Sequence, residues 1–203
     1  MTWINLLIKN QIKHYIYKIP KGDSIILKPS NQIIIILSGI SYMGEIFINK
    51  EISPLAILST NNIFNNNNSN RKVYYKITAL ETTYLLSINR KTKNTQIIID
   101  QNIAQYYLKT SESYKIINTI MKQKYILNRV TQLLLILCFK FGYIKGDSIF
   151  IPFQLSSQNI AILTGTSKNT ITKITNKIYK TGIINKIYKN IISISKITNV
   201  NLE

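Results

Sequence analysis

The sequence predicts an α+β chain in three parts. An N-terminal jelly-roll β-barrel with its flanking segments occupies residues 1–99, a long helix suited to dimerisation 100–127, and a winged helix-turn-helix 128–203. Three observations predict this order. Short β-prone runs punctuated by turn residues fill the first half. An apolar stripe at helical spacing follows them, and a two-helix pattern with glycine at its corner lies near the end.

The β-domain comes first. Residues 24–27, 33–38, 45–48, 55–58, 73–79 and 83–86 are strand candidates. Lys21-Gly22-Asp23, Ser38-Gly39-Ile40 and Met43-Gly44 supply turn chemistry between them. Residues 61–70 form a low-complexity asparagine tract, which need not pack and reads as a mobile loop.

The helix comes next. Ile103, Tyr107, Thr110, Tyr114, Ile117 and Met121 are separated by alternating four- and three-residue steps, the spacing of a coiled-coil seam. That seam is a candidate dimer contact, weakened at Thr110. A helix packed on its own β-domain would carry the same stripe, so both arrangements stay open.

In the last part, Ser156 is a good N-cap for a helix carrying Ile160, Ala161 and Leu163. Gly165 stands where the chain must turn sharply, and glycine accepts positive φ without steric cost. Thr166 or Ser167 can cap a second helix that runs to about Lys180, with Ile171, Ile174 and Ile178 on one face. Lys168, Asn169, Thr172, Lys173 and Asn176 fall on the other. In a helix-turn-helix this second helix enters the major groove, where lysine can donate to guanine and asparagine can read adenine. Two core helices with a solvated basic face are the alternative, and the local charge argues against it. Seven lysines and no acid lie between Asp147 and Glu203, so a polyanion is the natural partner. After Thr181-Gly182, residues 183–189 and 191–196 read as a hairpin wing. Lys186, Lys189 and Lys196 would sit near flanking phosphates, although an edge hairpin guarded by lysines has the same pattern.

The run from Leu155 to Lys173 resembles the DNA-binding signature of the Crp-Fnr regulators: Leu155, Ser156, Gln158, Ile160, Ala161, Gly165, Ser167, Lys168, Thr170, Ile171 and Lys173 all match it. Residues 128–142 and Thr170-Ile171-Thr172-Lys173 are similar to the cyanobacterial global nitrogen regulators and their red-algal plastid-encoded homologue. The resemblance is strong from about Asn128 onward and continuous before it. It implies a homodimer on palindromic double-stranded DNA, RNA polymerase as a further partner, and a link to nitrogen control. It also implies a cyclic-nucleotide-binding-like sensor domain. The residues that would touch DNA are Ser156, Gln158, Thr166, Ser167, Lys168, Asn169, Thr170, Thr172, Lys173, Lys177 and Lys189.

The resemblance fails where family members hold effectors. Cyclic-nucleotide members have Gly-Glu-Leu and then an arginine pair for the phosphate; this chain has Ile63-Phe64 followed by four asparagines. Members that sense 2-oxoglutarate use a loop aromatic, which Phe64 matches, and an arginine that Arg71 would match after a gap. They also use an arginine on the long helix, and no arginine occurs between Arg90 and Arg129. A dicarboxylate needs fixed, preferably bidentate donors. Loss of 2-oxoglutarate sensing is therefore expected. One cysteine cannot ligate an iron–sulfur cluster, and no other cofactor is called for.

Composition sets the remaining bounds. A net charge of +18 favours nucleic acid or an anionic surface, but Ile, Lys, Asn and Tyr have A/T-rich codons. Part of the excess therefore reflects mutational bias, and local charge carries more weight than total charge. No apolar segment is long enough to span a bilayer; 133–139 reads as buried helix. The N-terminus shows neither a secretory signal nor a transit-peptide pattern. A plastid stroma is expected, with a bacterial cytoplasm as the alternative. Cys138 is expected to be a core thiol. A cupin-like enzyme is the rival class, but it needs several His and carboxylate ligands, and His14 is the only histidine. A basic RNA-binding protein that stacks bases on its tyrosines is the other rival. The sequence specifies neither the target promoters nor the sign of regulation.

Overall fold

The computed structural model describes residues 3–65, 74–89, 93–180, 182, 184–187 and 191–195. The chain divides into two compact units, Met1–Ile116 and Ile117–Glu203. The first opens with α1 (Trp3–Lys9), which the sequence reading missed. Eight strands follow: β1 (His14–Ile19), β2 (Ser24–Leu27), β3 (Gln32–Ser38), β4 (Ile40–Ile46), β5 (Ile52–Ser59), β6 (Ile63–Asn65), β7 (Tyr74–Ala79) and β8 (Thr83–Asn89). The long helix α2 (Lys93–Lys122) contributes residues to both units.

The eight strands form two antiparallel sheets, ordered β1-β8-β3-β6 and β2-β7-β4-β5. Both are open, which corrects the expected closed barrel. Among the described residues no ladder joins one sheet to the other. The physical reason is a two-layer core that needs no closure. Ile34 and Ile36 of the first sheet pack with Met43, Ala56, Leu58 and Ile77 of the second. Ile33 and Ile35 pack on the opposite side with Leu7 of α1, Leu86 and Ile88, and with half-buried Tyr106 and Tyr107 of α2. A strand covered on both faces reads as a continuous apolar run, as 33–36 does, instead of alternating.

Two further expectations are corrected here. Met43-Gly44 is no turn; it lies inside β4, where the register with β5 shifts. A Cβ on Gly44 would collide with Ile52 and stand 2.9 Å from the Ser53 carbonyl oxygen, so glycine marks a bulge with close cross-strand approach. Pro54 opposite is tolerated because β5 is an edge strand. Phe47 and Ile48, expected to end a strand, are exposed at the hairpin tip. The asparagine tract is structured where it begins. Asn61 adopts φ 68°, Asn62 is fully buried, and Ile63–Asn65 is β6. Residues 66–70 lie outside the described residues.

The helical stripe is largely an intrachain face. Tyr107 packs against the Ile33 cluster and Tyr114 against the Ile34 cluster, while Thr110 and Ile117 are buried in the single chain. Met121 is half-buried, and the side chain of Ile103 lies outside the described residues. The alternative left open by the sequence, a helix packed on its own domain, accounts for Tyr107, Thr110 and Tyr114. Tyr107 and Tyr114 are only half-buried by these contacts, whereas Thr110 is 2% exposed.

The second unit is built on α3 (Ile126–Phe141), whose Val130, Leu133, Leu134, Leu137 and Cys138 form one buried face at helical spacing. It packs on β10, β12, α4 and α5. Strands β9 (Tyr143–Lys145) and β10 (Ser148–Phe150) form a hairpin not read in the sequence. β11 (Ile184–Ile187) and β12 (Ile191–Ser195) complete a sheet ordered β11-β12-β10-β9. Lys189 and Lys196 lie outside the described residues.

Burial pushes the Cys138 thiol up to about 12. The thiolate is the nucleophile, so native protein at pH 8 should resist iodoacetamide while unfolded protein is alkylated readily. Because the folded thiol binds its proton more tightly than the unfolded one, stability should fall as pH rises from about 9 toward 12. Mass spectrometry of alkylated Cys138 across pH, with and without denaturant, checks the first expectation. Equal native and unfolded rates would contradict it.

Candidate nucleic-acid interface

Two short helices, α4 (Ser157–Thr164) and α5 (Lys168–Lys180), carry the residues singled out by the sequence. Ser156 caps α4 as expected: its backbone is extended and its Oγ accepts from the Asn159 N–H at 3.1 Å. Ile160, Ala161, Leu163 and Thr164 face inward, and the Thr164 hydroxyl donates to the Ile160 carbonyl at 2.7 Å. The helix ends at Gly165, with φ 62° and ψ 45°. Its N–H reaches the Ala161 and Ile162 carbonyls, and the Thr166 N–H donates to the Ala161 carbonyl at 2.9 Å.

Ser167, not Thr166, takes the capping role at α5. Its Oγ accepts from the Thr170 N–H at 3.1 Å and lies 2.8 Å from the Thr170 hydroxyl. Thr166 and Thr170 are half-buried. The buried face of α5 is Ile171, Thr175 and Ile178, while Ile174, expected there, is half-buried. Thr175 serves because its hydroxyl donates to the Ile171 carbonyl at 2.8 Å, leaving no unmet polar atom.

The opposite face is a continuous exposed stripe. Lys168, Asn169, Thr172, Lys173, Asn176 and Lys177 recur at one- and three-residue steps, which keeps them on one side of the helix. No acid occupies the first turn of α5, and Lys168 stands there instead. A lysine opposes the positive end of the helix dipole, so an anion at this end relieves an existing repulsion. Gln158 is exposed on α4. A depression of about 190 Å³ is lined by Leu155, Ser156, Ser157 and Gln158 on one side, and by Lys168, Thr172, Thr175, Asn176 and Tyr179 on the other. The two helices thus present one concave polar surface.

Sequence reasoning missed the brace behind this surface. Arg129 donates from Nε to the Gln123 carbonyl at 2.8 Å and from Nη1 to the Thr164 carbonyl at 3.3 Å. Arg129 therefore ties the start of α3 to the last carbonyl of α4, and every cation on the α5 stripe is a lysine. The available signal was Arg129 itself, one of three arginines in a lysine-rich chain.

The two effector candidates separate. Phe64 lies in β6 and lines a cavity of about 260 Å³ with Ile63, Asn65, Tyr107, Thr110, Ser111 and Tyr114. None of these side chains is charged at neutral pH. Burial, helped by neighbouring Tyr75, pushes the Tyr114 hydroxyl up to about 12, so it stays a neutral donor. Arg71 lies outside the described residues.

No protein-family model matches the chain. It is 24% identical over 199 residues to a candidate HTH-type transcriptional regulator of Porphyra purpurea, ycf28, covering 94% of this chain and 82% of that one. Among solved structures it is similar to TTHB099, a CRP family transcriptional regulator of Thermus thermophilus. The TM-score is 0.69 at 14% identity, over 89% of this chain and 91% of the other. The fold is that of the CRP family. A CprK variant complexed with OCPA shares this CRP-type fold, with a TM-score of 0.64 at 21% identity over 94% of this chain and 88% of its own.

Within the CRP-type fold the corner between α4 and α5 is doubly constrained. A Cβ on Gly165 would stand 2.6 Å from Met121 Cε, and the backbone is left-handed. Gly165→Ala should therefore destabilise the second unit by about 1–2 kcal/mol from the backbone alone. Urea unfolding followed by circular dichroism checks this; an unchanged midpoint would show that the corner relaxes freely.

Proposed function

We propose that this chain is a CRP/FNR-type transcription regulator that binds double-stranded DNA through a winged helix-turn-helix and acts as a homodimer on palindromic sites. The exposed, acid-free stripe of Lys168, Asn169, Thr172, Lys173, Asn176 and Lys177 on α5 carries this reading. The opposite face of α5 is anchored by Ile171, Thr175 and Ile178, so the stripe is rigidly presented. A major groove admits an α-helix of this kind, with α5 reading base edges and Ser156 and Gln158 near the phosphates. The CRP family fold and the Porphyra purpurea relative support the same reading.

The β11–β12 hairpin is the proposed wing, with Lys189 near a flanking phosphate. For the two-fold contact, the residues of α2 left exposed include Leu108, 68% accessible, with Ala104 and Ser111 beside it on the same face. Ile103 and Met121 remain candidates for the same contact. The proposal further assigns RNA polymerase as partner, nitrogen-linked promoters as targets and a plastid stroma as location, with a bacterial cytoplasm as the alternative. On the α5 stripe single-stranded RNA binding is less well supported, because stacking needs aromatics beside the cations and Tyr179, the aromatic of α5, is half-buried.

Selection of bound sites from randomised duplexes tests the reading, and a two-fold motif should be enriched. On the selected site Lys173→Ala should weaken binding by about 1–3 kcal/mol and relax sequence preference at one position. A uniform loss across all duplexes would make Lys173 a phosphate anchor, and no duplex enrichment at all would refute DNA recognition.

Binding is also proposed to be independent of cyclic AMP and 2-oxoglutarate. Among the described residues the cavity beside Phe64 is lined by no cationic side chain to match a phosphate or a dicarboxylate, and a ligand shifts an equilibrium only through differential affinity. Calorimetry should give no saturable heat with either molecule. Duplex affinity at fixed salt should change less than twofold on adding them. Saturable binding abolished by Arg71→Ala would overturn this.

A further inference from the structure

A buried polar cluster joins the β5–β6 turn to α2. Asn62 is fully buried, and Thr110 and Ser113 are each 2% exposed. The Asn62 Oδ1 accepts from the Ser59 N–H at 2.6 Å and from the Ser59 hydroxyl at 3.3 Å. Its Nδ2 donates to Thr110 Oγ1 at 3.3 Å and to Ser113 Oγ at 3.4 Å. Thr110 Oγ1 also accepts from the Ile63 N–H at 2.8 Å and donates to the Tyr106 carbonyl at 3.0 Å. Ser113 donates to the Lys109 carbonyl at 3.2 Å. At the rim, Lys109 Nζ donates to the Thr60 carbonyl at 2.7 Å.

Both donor positions and both lone pairs of the Asn62 amide are used, as are the proton and two lone pairs of Thr110. Such a cluster holds in one arrangement only. Sliding or turning α2 by one residue would carry Thr110 away from the Ile63 N–H and leave buried groups unpaired, which is costly in a medium of low dielectric. The purely apolar contacts of Tyr107 and Tyr114 would tolerate a shift far better, because dispersion has no fixed direction.

We propose that Asn62, Thr110 and Ser113 form a built-in latch that fixes the register of α2 on the β-domain. The consequence for DNA affinity rests on the function proposed above; the latch itself does not.

The test uses full-length protein and two readouts. Thr110→Val keeps the shape and removes the acceptor for Ile63 and Asn62; Ser113→Ala is the milder variant should the first fail to fold. In hydrogen exchange, amides of 104–116 and of Ile63 should exchange at least tenfold faster in either variant, with β3 and β8 unchanged. Affinity for the selected duplex should fall at least fivefold in parallel. Unchanged exchange in α2 would overturn the latch, as would faster exchange spread evenly over the β-domain. Faster local exchange with unaltered duplex affinity would overturn its regulatory consequence. A wild-type chain that binds no duplex, yet shows the local exchange change, would refute the DNA-binding reading and leave the latch standing.

Discussion

The first unit depends on a single constraint: β3 cannot expose either face. Four consecutive isoleucines, 33–36, are all buried, and each contributes roughly 1.5–3 kcal/mol on leaving water. One face demands a second sheet and the other demands helices. Once α2 answers the second demand, Tyr106 and Tyr107 come to lie on the Ile33 cluster. Thr110 and Ser113, one and two turns on, meet the β5–β6 turn. The polar cluster at Asn62 thus follows from an apolar requirement several residues away.

In the second unit backbone chemistry works beside a buried apolar core. Caps at Ser156 and Ser167 satisfy helix starts, Gly165 turns the corner, and Arg129 gathers the carbonyls of Gln123 and Thr164. These fixed points hold α5 so that its two faces do opposite jobs. Ile171, Thr175 and Ile178 anchor it, while the lysine and asparagine stripe stays in water.

Much of this was legible in the sequence because it is written at short range. The two-helix corner follows from Ser156, Gly165 and Ser167, and the α3 face from a spacing of three and four residues. What escaped depends on partners distant in sequence. The isoleucine run could not announce that its two faces have different covers. Gly44 resembled a turn because the close approach of Ser53 that requires glycine is nonlocal. The helical stripe was ambiguous because packing on one's own domain and packing on a twin need the same periodicity. Asn62 was hidden inside a low-complexity tract, where composition argued for a loop and only the neighbourhood of Thr110 and Ser113 shows otherwise.

The lysine stripe has a further consequence for the lifetime of the protein. Its like charges repel without any acid on α4 or α5 to compensate them, so the unliganded second unit carries a standing electrostatic load. Whatever polyanion neutralises the stripe also stabilises the fold by mass action, by about 2.7 kcal/mol at a hundredfold excess over Kd. Proteases act on opened chains, whose population falls as stability rises. Unoccupied molecules would therefore be cleared faster than occupied ones, and the standing amount of protein would follow the number of sites available to it.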